Sequence, residues 1–365
     1  MRPLPLALRI EKRPEPEEWL KLAVPLASIG VALALSSVIF AAHGLSPLEV
    51  YGTMIGSLLT GTGLAWVVVK LIPLLLCALG LIIAFRAKIW NIGAEGQLLM
   101  GAVASAGLAL FVLRDAPGAV LIPAMFIVGF LAGAGWAFLP GLLRAKLGMN
   151  EVITTLMMNY IAANIIVYLT YGPWKGEKAW GRLLTDAIPD QAVLPTIPGT
   201  YIHYPTLALA LGLAGLVYVL MERTWLGYEL KVFGDNPDLA RAVGMRPARL
   251  IVLSMMLSGG LAGLAGVGEL ATIHKRLSGE RPWAISGGYG YMAIIVAWLA
   301  RLNPLAAIAT SCFMGALAWA GSSLQIMLGV PYASVNIFNG LLLACLISGE
   351  LMLKYRVRLV WRGWR

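Results

Sequence analysis

Long apolar runs separated by short basic loops dominate the pattern of hydrophobic and polar positions along this chain. Residues 22–48 contain no Asp, Glu, Lys or Arg, and residues 302–349 are equally uncharged. Because a membrane-spanning helix needs about 20 apolar residues, the second run is long enough for two crossings. The pattern predicts about ten crossings: 22–42, 64–85, 92–113, 118–143, 152–171, 204–221, 250–272, 288–300, 304–321 and 333–353.

Composition supports a protein that lies in a bilayer. Apolar residues make up 59% of the chain and charged residues 13%. A soluble domain with so few charges could not cover its surface, whereas lipid-facing residues are expected to be apolar. We therefore predict an all-α polytopic membrane protein. Its transmembrane domain covers 22–353, between an N-terminal segment 1–21 and a basic tail 354–365.

The distribution of basic residues predicts the orientation, because cytoplasmic loops carry an excess of Lys and Arg. Most of the 28 Lys and Arg residues fall in inner segments when the N-terminus is placed inside. Both termini and loop 222–249 are then cytoplasmic, whereas loop 172–203 is extracytoplasmic. That outer loop is either a plain connection or a docking site for an extracytoplasmic partner. The same bias accounts for the net charge of +10, so nucleic acid is not an expected partner.

Motifs for catalysis are absent from the sequence. No Gly-x-x-x-x-Gly-Lys-Ser/Thr segment occurs, so the chain carries no P-loop of its own. The three Cys residues lie far apart, and the three His residues have no carboxylate at metal-binding spacing. We therefore expect neither an enzyme, nor a metal site, nor a cofactor bound to this chain.

The longest inner loop, 222–249, contains a strong local signal for a short helix. Asn236 is suited to cap the first turn, Pro237 to take the first helical position, and Gly244 to end the helix in a left-handed conformation. A helix of about seven residues is marginal in water, so something else must stabilise it. It either packs on this protein's own loops or inserts into a cytoplasmic partner. Apolar contacts to a partner would come from Leu239, Val243 and Met245.

Two predicted crossings open with polar, glycine-rich sequence that weakens a helix. The third opens at 91–97, where Glu95 is costly if it lies deep in lipid, and the eighth opens at 286–291. Paired interruptions at matching positions of two inverted halves indicate a binding site near the midplane. Glu95 either complements a helix dipole near the inner interface or lies on the substrate pathway. The candidate substrate-pathway residues are Asn91, Glu95, Gln97, Asn159 and Tyr289.

The seventh predicted crossing contains a ladder of small residues. Gly259, Gly263 and Gly266 recur at spacings of three and four. Such ladders let helix backbones approach closely, so we expect a packing role, with a moving interface as the alternative.

Several sequence blocks resemble those of a known family of membrane proteins. They are similar, in sequence and in order, to permease subunits of ABC importers from the branched-chain amino acid and simple-sugar permease superfamily, in its nucleoside-type branch. The likeness runs from about residue 70 to 350, whereas the first 20 residues and loop 172–203 match nothing in the pattern. The blocks are 90–102, 150–162, 234–244, 259–268 and 287–304.

The resemblance implies half of a translocation pore in the cell membrane for a small polar solute, above all a nucleoside. It also implies cytoplasmic ATPase subunits that bind ATP and Mg²⁺, a second permease subunit, identical or different, and an extracytoplasmic solute-binding lipoprotein. In such families the segment that matches 234–244 is the coupling helix, which fits a groove on the ATPase. The ATPase-coupling residues implied are Gly234, Asp235, Asn236, Pro237, Leu239, Ala240, Arg241 and Gly244.

Other functions remain open at this point. One is an ABC importer of simple sugars, and another is a stand-alone secondary transporter powered by an ion gradient. Secondary transporters usually carry ionisable residues deep in several crossings, whereas Lys70 and Glu95 are the obvious candidates here. A non-transporting membrane scaffold is a third possibility, against which the broken segments argue.

Overall fold

The computed structural model describes residues 6–12, 17–42, 44–177 and 181–361 of the 365-residue chain. Parts of the predicted N-terminal segment, outer loop and basic tail lie outside the described residues. These parts are 1–5, 13–16, 178–180 and 362–365, together with His43.

Helices form nearly all the regular structure of the described residues. Two short strands, β1 (Leu6–Lys12) and β2 (Tyr355–Trp361), flank them. The helices are α1 (Glu18–Ala42), α2 (Pro47–Leu58), α3 (Gly61–Arg86), α4 (Ala94–Gly107), α5 (Gly118–Leu147), α6 (Glu151–Tyr171), α7 (Tyr204–Arg223), α8 (Trp225–Asp235), α9 (Pro237–Ala242), α10 (Pro247–Glu269), α11 (Tyr289–Leu299), α12 (Ala306–Leu328) and α13 (Tyr332–Lys354). Short π-helical turns extend α4 over Leu108–Val112 and α10 over Leu270–His274.

The all-α polytopic fold is confirmed, with changes at several helix ends. Within the described residues, eight helical segments are long and apolar enough to cross a membrane. The short α11 and the terminal α13 occupy the eighth and tenth predicted ranges without being among those eight. Helix α5 continues to Leu147, where Gly148 takes a left-handed conformation and ends it. Helix α12 runs seven residues past its predicted end, and α2 was not predicted.

The chain divides into two compact units, of which the first comprises Met1–Thr60 and Leu317–Arg365. Helix α1 packs against α13 within it. Strands β1 and β2 pair in antiparallel fashion, with Leu6 opposite Trp361 and Lys12 opposite Tyr355. The sequence analysis treated both segments as irregular. Each alternates apolar and polar residues in the manner of a strand, but the pairing joins opposite ends of the chain and leaves no local signal.

The second unit, Gly61–Ala316, is built around α10, which packs on α5, α3 and α4. The predicted small-residue ladder lies at these contacts. A Cβ atom at Gly133 on α5 would overlap the carbonyl oxygen of Gly259 on α10, and a Cβ atom at Gly101 on α4 would overlap Gly263. The ladder therefore serves close backbone packing, as predicted.

We expect Gly133→Ala to destabilise the protein, because the added methyl group has to displace the backbone of α10. Overpacking of this kind typically costs about 1–3 kcal/mol. Gly135→Ala is the matched control on the same helix, since nothing lies within 4 Å of a Cβ atom there. Thermal unfolding in detergent, followed by tryptophan fluorescence, should give a lower Tm for Gly133→Ala alone. Equal Tm values for the two variants would contradict the packing argument.

Candidate functional site

The two broken segments meet inside the second unit, where Glu95 in the first turn of α4 binds the start of α11. The side chain of Glu95 is buried, its Oε1 accepts from the N–H of Gly288 at 2.9 Å, and its Oε2 accepts from the N–H of Gly290 at 2.7 Å. The carboxylate thus satisfies the N–H groups that the first turn of a helix leaves unpaired and complements the positive end of its dipole.

Close backbone approach makes this contact possible. A Cβ atom at Gly290 would overlap the backbone nitrogen of Glu95, so α11 reaches α4 only because residue 290 is glycine. Gly287 and Gly288 precede the helix with positive φ angles of 50° and 83°, which glycine adopts at little cost. The glycine-rich sequence that weakens the eighth crossing is therefore what lets its helix begin against Glu95.

Asn91 and Gln97 form a reciprocal amide pair that closes the loop before α4. The Nδ2 of Asn91 donates to Gln97 Oε1 at 2.9 Å and to Ser258 Oγ on α10 at 2.9 Å. In return, Asn91 Oδ1 accepts from Gln97 Nε2 at 3.0 Å and from the N–H of Gly93 at 2.9 Å. Both amides are buried, so this polar set is satisfied within the protein.

Asn159 on α6 ties the same loop to the broken helix α11. Its Oδ1 accepts from the N–H of Gly96 at 2.8 Å, and its Nδ2 donates to the carbonyl oxygen of Ile92 at 2.9 Å and to the hydroxyl of Tyr291 at 3.1 Å. Thr155, one turn earlier on α6, accepts from the N–H of Ile92 at 3.2 Å. Asn159 therefore acts as an interhelical hydrogen-bonding residue.

Lys70 on α3 holds the remaining candidate, Tyr289. The Lys70 Nζ donates to the Tyr289 hydroxyl at 2.7 Å and lies 5.2 Å from the centroid of its ring. Glu269 lies within electrostatic range of Lys70, and its Oε2 is 3.7 Å from His274 Nε2. The structure also buries Glu269, which the sequence analysis did not name as a candidate. Opposite charges inside a membrane domain usually pair, and this rule could have matched Lys70 with Glu269.

The structure thus brings all five predicted substrate-pathway residues into one buried region, although they come from three helices and a loop. Five of their hydrogen bonds run to backbone groups of the two interrupted segments. Chemically the arrangement can hold the starts of two helices inside a membrane domain, where irregular backbone needs internal partners. Contact of these residues with a solute stays a prediction.

The predicted helix of the cytoplasmic loop is present as α9, six residues long. Asn236 Oδ1 accepts from the N–H groups of Asp238 at 3.0 Å and Leu239 at 3.1 Å, as its capping role requires. Gly244 takes a φ of 84°, so the left-handed ending is confirmed as well. The preceding helix α8, which the sequence analysis did not predict, ends in Asp235.

Side chains of segment 234–244, here called the coupling segment after the role that the resemblance implies, divide into an exposed and an inward-facing set. Leu239 and Val243 are 51% and 60% exposed, and Arg241 pairs with Asp238 at 3.0 Å on the surface. Ala240 is fully buried, so its side chain packs on this chain and is not available to a partner. Gly234 is buried too. The segment therefore both packs on its own protein and presents apolar side chains outward, which combines the two alternatives left open by the sequence.

Loop 172–203, which the sequence predicts to be extracytoplasmic, packs closely on the segment that follows α10. Thr185 N–H donates to the carbonyl oxygen of Leu277 at 3.1 Å, and Arg182 lies 3.3 Å from Glu280. The hydrogen bond from Arg182 lowers the pKa of Glu280 below its usual value. At the end of the loop, burial lowers the pKa of His203 to about 4, so its imidazole is neutral at neutral pH. The loop is a packed connection in the described residues.

Together, the long apolar helices, the interrupted starts of α4 and α11 that meet at Glu95, and the exposed side chains of segment 234–244 are features of a polytopic membrane transport subunit. The chain belongs to the branched-chain amino acid transport system permease component family, which it matches over residues 63–347. It is accordingly a multi-pass permease component of an ABC transporter and not a catalytic enzyme.

Characterised relatives come from several organisms. The chain is 34% identical to the glucose ABC transporter permease of Haloferax volcanii over 96% of its own length and 93% of that protein. It is 33% identical to the nucleoside ABC transporter permease of Lactococcus lactis over 68% of its length and 70% of that protein. It is 29% identical to a guanosine ABC transporter permease of Bacillus subtilis over 93% of its length and 95% of that protein.

We expect Glu95→Gln to destabilise the protein, because the amide offers one acceptor oxygen where the carboxylate offers two to the start of α11. A hydrogen bond to a charged group contributes about 1.5–3 kcal/mol. Thermal unfolding in detergent should therefore show a Tm lower by several degrees. Glu49→Gln, which changes an exposed carboxylate in the first turn of α2, should leave the Tm nearly unchanged. A wild-type Tm for Glu95→Gln would remove the capping role.

Proposed function

We propose that this chain forms half of the pore of an ABC importer and that its solute is a nucleoside. Membership of the permease family carries the importer assignment. The nucleoside assignment is supported by the relatives from Lactococcus lactis and Bacillus subtilis, which carry nucleosides and guanosine. Import of a simple sugar is the second candidate, supported by the glucose permease of Haloferax volcanii at 34% identity. The two solute classes share sugar hydroxyl groups, so related pores could serve both.

In this proposal ATP and Mg²⁺ bind to separate cytoplasmic ATPase subunits, and the coupling segment docks on them. The absence of a P-loop from the sequence supports a separate ATPase. The exposed Leu239 and Val243 on a capped, preorganised helix are the apolar anchors that such a contact needs. Both termini are then cytoplasmic, in agreement with the excess of basic residues in the inner loops.

A second permease subunit, identical or different, would complete the pore, and an extracytoplasmic solute-binding lipoprotein would deliver the solute. Loop 172–203 is the largest outer segment available to that lipoprotein. Its hydrogen bonds to the segment after α10 give it a fixed shape, which lowers the entropy lost on docking.

In this mechanism the parts of the protein that move are the starts of α4 and α11. Asn91, Gln97 and Asn159 fix the start of α4, and Glu95 fixes the start of α11 on it. In alternating access one part of the transporter moves against another around the solute site, and the backbone groups of interrupted helices at that site have to stay satisfied throughout. We propose that the solute passes along the surface that these two helix starts shape near the midplane.

A stand-alone secondary transporter would need ionisable groups that bind the driving ion. The buried Lys70 and Glu269 are the specific observation in its favour. Lys70 is, however, engaged with the Tyr289 hydroxyl, and Glu269 lies within electrostatic range of Lys70 and 3.7 Å from His274, so both groups already interact with other side chains of the protein. These contacts support a structural role and favour the ATP-driven importer.

Uptake of radiolabelled guanosine into membrane vesicles tests the proposed function directly. We expect ATP-dependent uptake that excess unlabelled nucleosides suppress and excess glucose does not. Absence of guanosine uptake, together with ATP-dependent uptake of radiolabelled glucose, would indicate the sugar importer. Uptake that survives ATP depletion and collapses with the ion gradient would indicate the secondary transporter.

We expect the double substitution Leu239→Ala and Val243→Ala to weaken docking of the ATPase. Loss of apolar anchors at the centre of an interface costs about 2 kcal/mol or more, which corresponds to a loss of affinity of roughly thirtyfold. The measurement is the amount of ATPase that co-purifies with the permease in mild detergent. Leu216→Ala, which truncates an exposed side chain on α7 away from the coupling segment, is the control. Unchanged ATPase recovery in the double variant would remove α9 from the interface.

A further inference from the structure

The turn that follows α3 packs directly on the coupling segment through Gly234. A Cβ atom at this position would overlap the carbonyl oxygen of Arg86 and lie 3.2 Å from the Cα of Ala87. Two backbones therefore touch with no side chain between them, which leaves no compressible layer at this contact. A displacement of the end of α8 has to move the turn as well.

Lys88 adds a second contact between the same two elements. Its Nζ lies 3.5 Å from Asp235 Oδ1, next to Gly234. Lys88 has a φ of 54°, the left-handed conformation that glycine usually supplies after the end of a helix. This conformation is uncommon for a residue other than glycine, and in it the Lys88 side chain lies within ion-pair distance of Asp235.

Arg86 connects the turn to the C-terminal end of α11. Its Nη2 and Nε donate to the carbonyl oxygen of Leu302 at 3.3 and 3.4 Å, just beyond the end of that helix. The same Nη2 donates to Glu222 Oε1 at 2.8 Å, at the end of α7. Arg301 and Leu302 both have left-handed φ angles, so the chain after α11 is shaped to bring this carbonyl oxygen to Arg86.

The turn is also connected to the N-terminal end of α11, through the residues that follow it and through α4. Residues 89–93 follow it, held to α6 by the N–H of Trp90, which donates to Glu151 Oε1 at 3.4 Å, and by the hydrogen bonds of Asn159. They pass into α4, where Glu95 binds the start of α11. Both ends of the half-length helix are thus tied to one turn.

We propose that residues 86–88, called the joint from here on, form a rigid connection. This connection transmits the movement of the coupling segment to both ends of α11. Gly234 and Arg86 are its positioning residues, acting through the turn and not by touching the solute. This inference rests on the proposed function, because it assumes that a cytoplasmic ATPase moves the coupling segment. It adds the route by which that movement reaches the midplane.

The joint can be tested in the complete transporter by hydrogen–deuterium exchange before and after trapping with ATP and vanadate. Segment 237–243 reports ATPase docking, and segment 286–302 reports α11. In the wild-type complex we expect exchange to change in both segments, by about threefold or more in 286–302. In Gly234→Ala we expect the change in 237–243 to persist and the change in 286–302 to disappear.

Gly215→Ala on α7 is the matched control, because nothing lies within 4 Å of a Cβ atom there. It should behave as the wild type in both segments. A full response of 286–302 in Gly234→Ala would overturn the joint. If hydrogen–deuterium exchange in 237–243 does not change in the wild type either, the result contradicts the proposed ATPase docking and not the joint.

Cross-linking provides a second test that does not depend on how Gly234→Ala folds. Lys88→Cys and Asp235→Cys are introduced after Cys77, Cys312 and Cys345 have been replaced by alanine, and a short bifunctional thiol reagent joins them. A rigid joint moves as one body, so 286–302 should respond to ATP and vanadate equally before and after cross-linking. Loss of the response on cross-linking, with recovery after cleavage of the link, would show that the two elements slide and would overturn the proposal.

Discussion

The carboxylate of Glu95 at the start of α11 is the interaction on which the rest of the second unit depends. A helix that begins inside a bilayer exposes backbone N–H groups where no water can satisfy them, and each such group costs several kcal/mol if left unpaired. Glu95 meets this requirement from a second helix that itself begins at the same depth. A buried carboxylate without partners would be unfavourable, and so would a helix start with unpaired N–H groups. Here the carboxylate and the N–H groups satisfy each other. This mutual dependence is why two interrupted helices occur together.

The glycines of α10 provide the second constraint, which is one of distance. With α5 and α4 packed backbone to backbone on α10, the unit has a dense centre that positions the loop before α4. Ser258 on α10 reaches Asn91 from this centre. Small residues therefore determine how close the helices come, and the polar residues of the site depend on that closeness for their short hydrogen bonds. The geometry of the site therefore depends directly on how closely the helices of the unit pack.

Much of this arrangement was predictable from the sequence, and the exceptions share a physical cause. Apolar runs predicted the crossings, the signals around Asn236 and Gly244 predicted α9, and the glycine-rich sequence at 91–97 and 286–291 predicted the interrupted starts of α4 and α11. These are local signals. The partner of Glu95, the burial of Glu269, the inward side of Ala240 and the pairing of β1 with β2 all depend on residues distant in the chain. A single sequence holds no local trace of such contacts, so they emerged only from the three-dimensional structure.

The pairing of β1 with β2 also constrains the path of the chain through the membrane. Two strands that share backbone hydrogen bonds have to lie on the same side of the bilayer, since neither can reach through it to the other. The helices between them must therefore cross an even number of times. Eight long spans satisfy this condition, and so do ten, if α11 and α13 complete the count. An odd number of crossings, such as nine, is therefore excluded, whichever side of the membrane the two strands occupy.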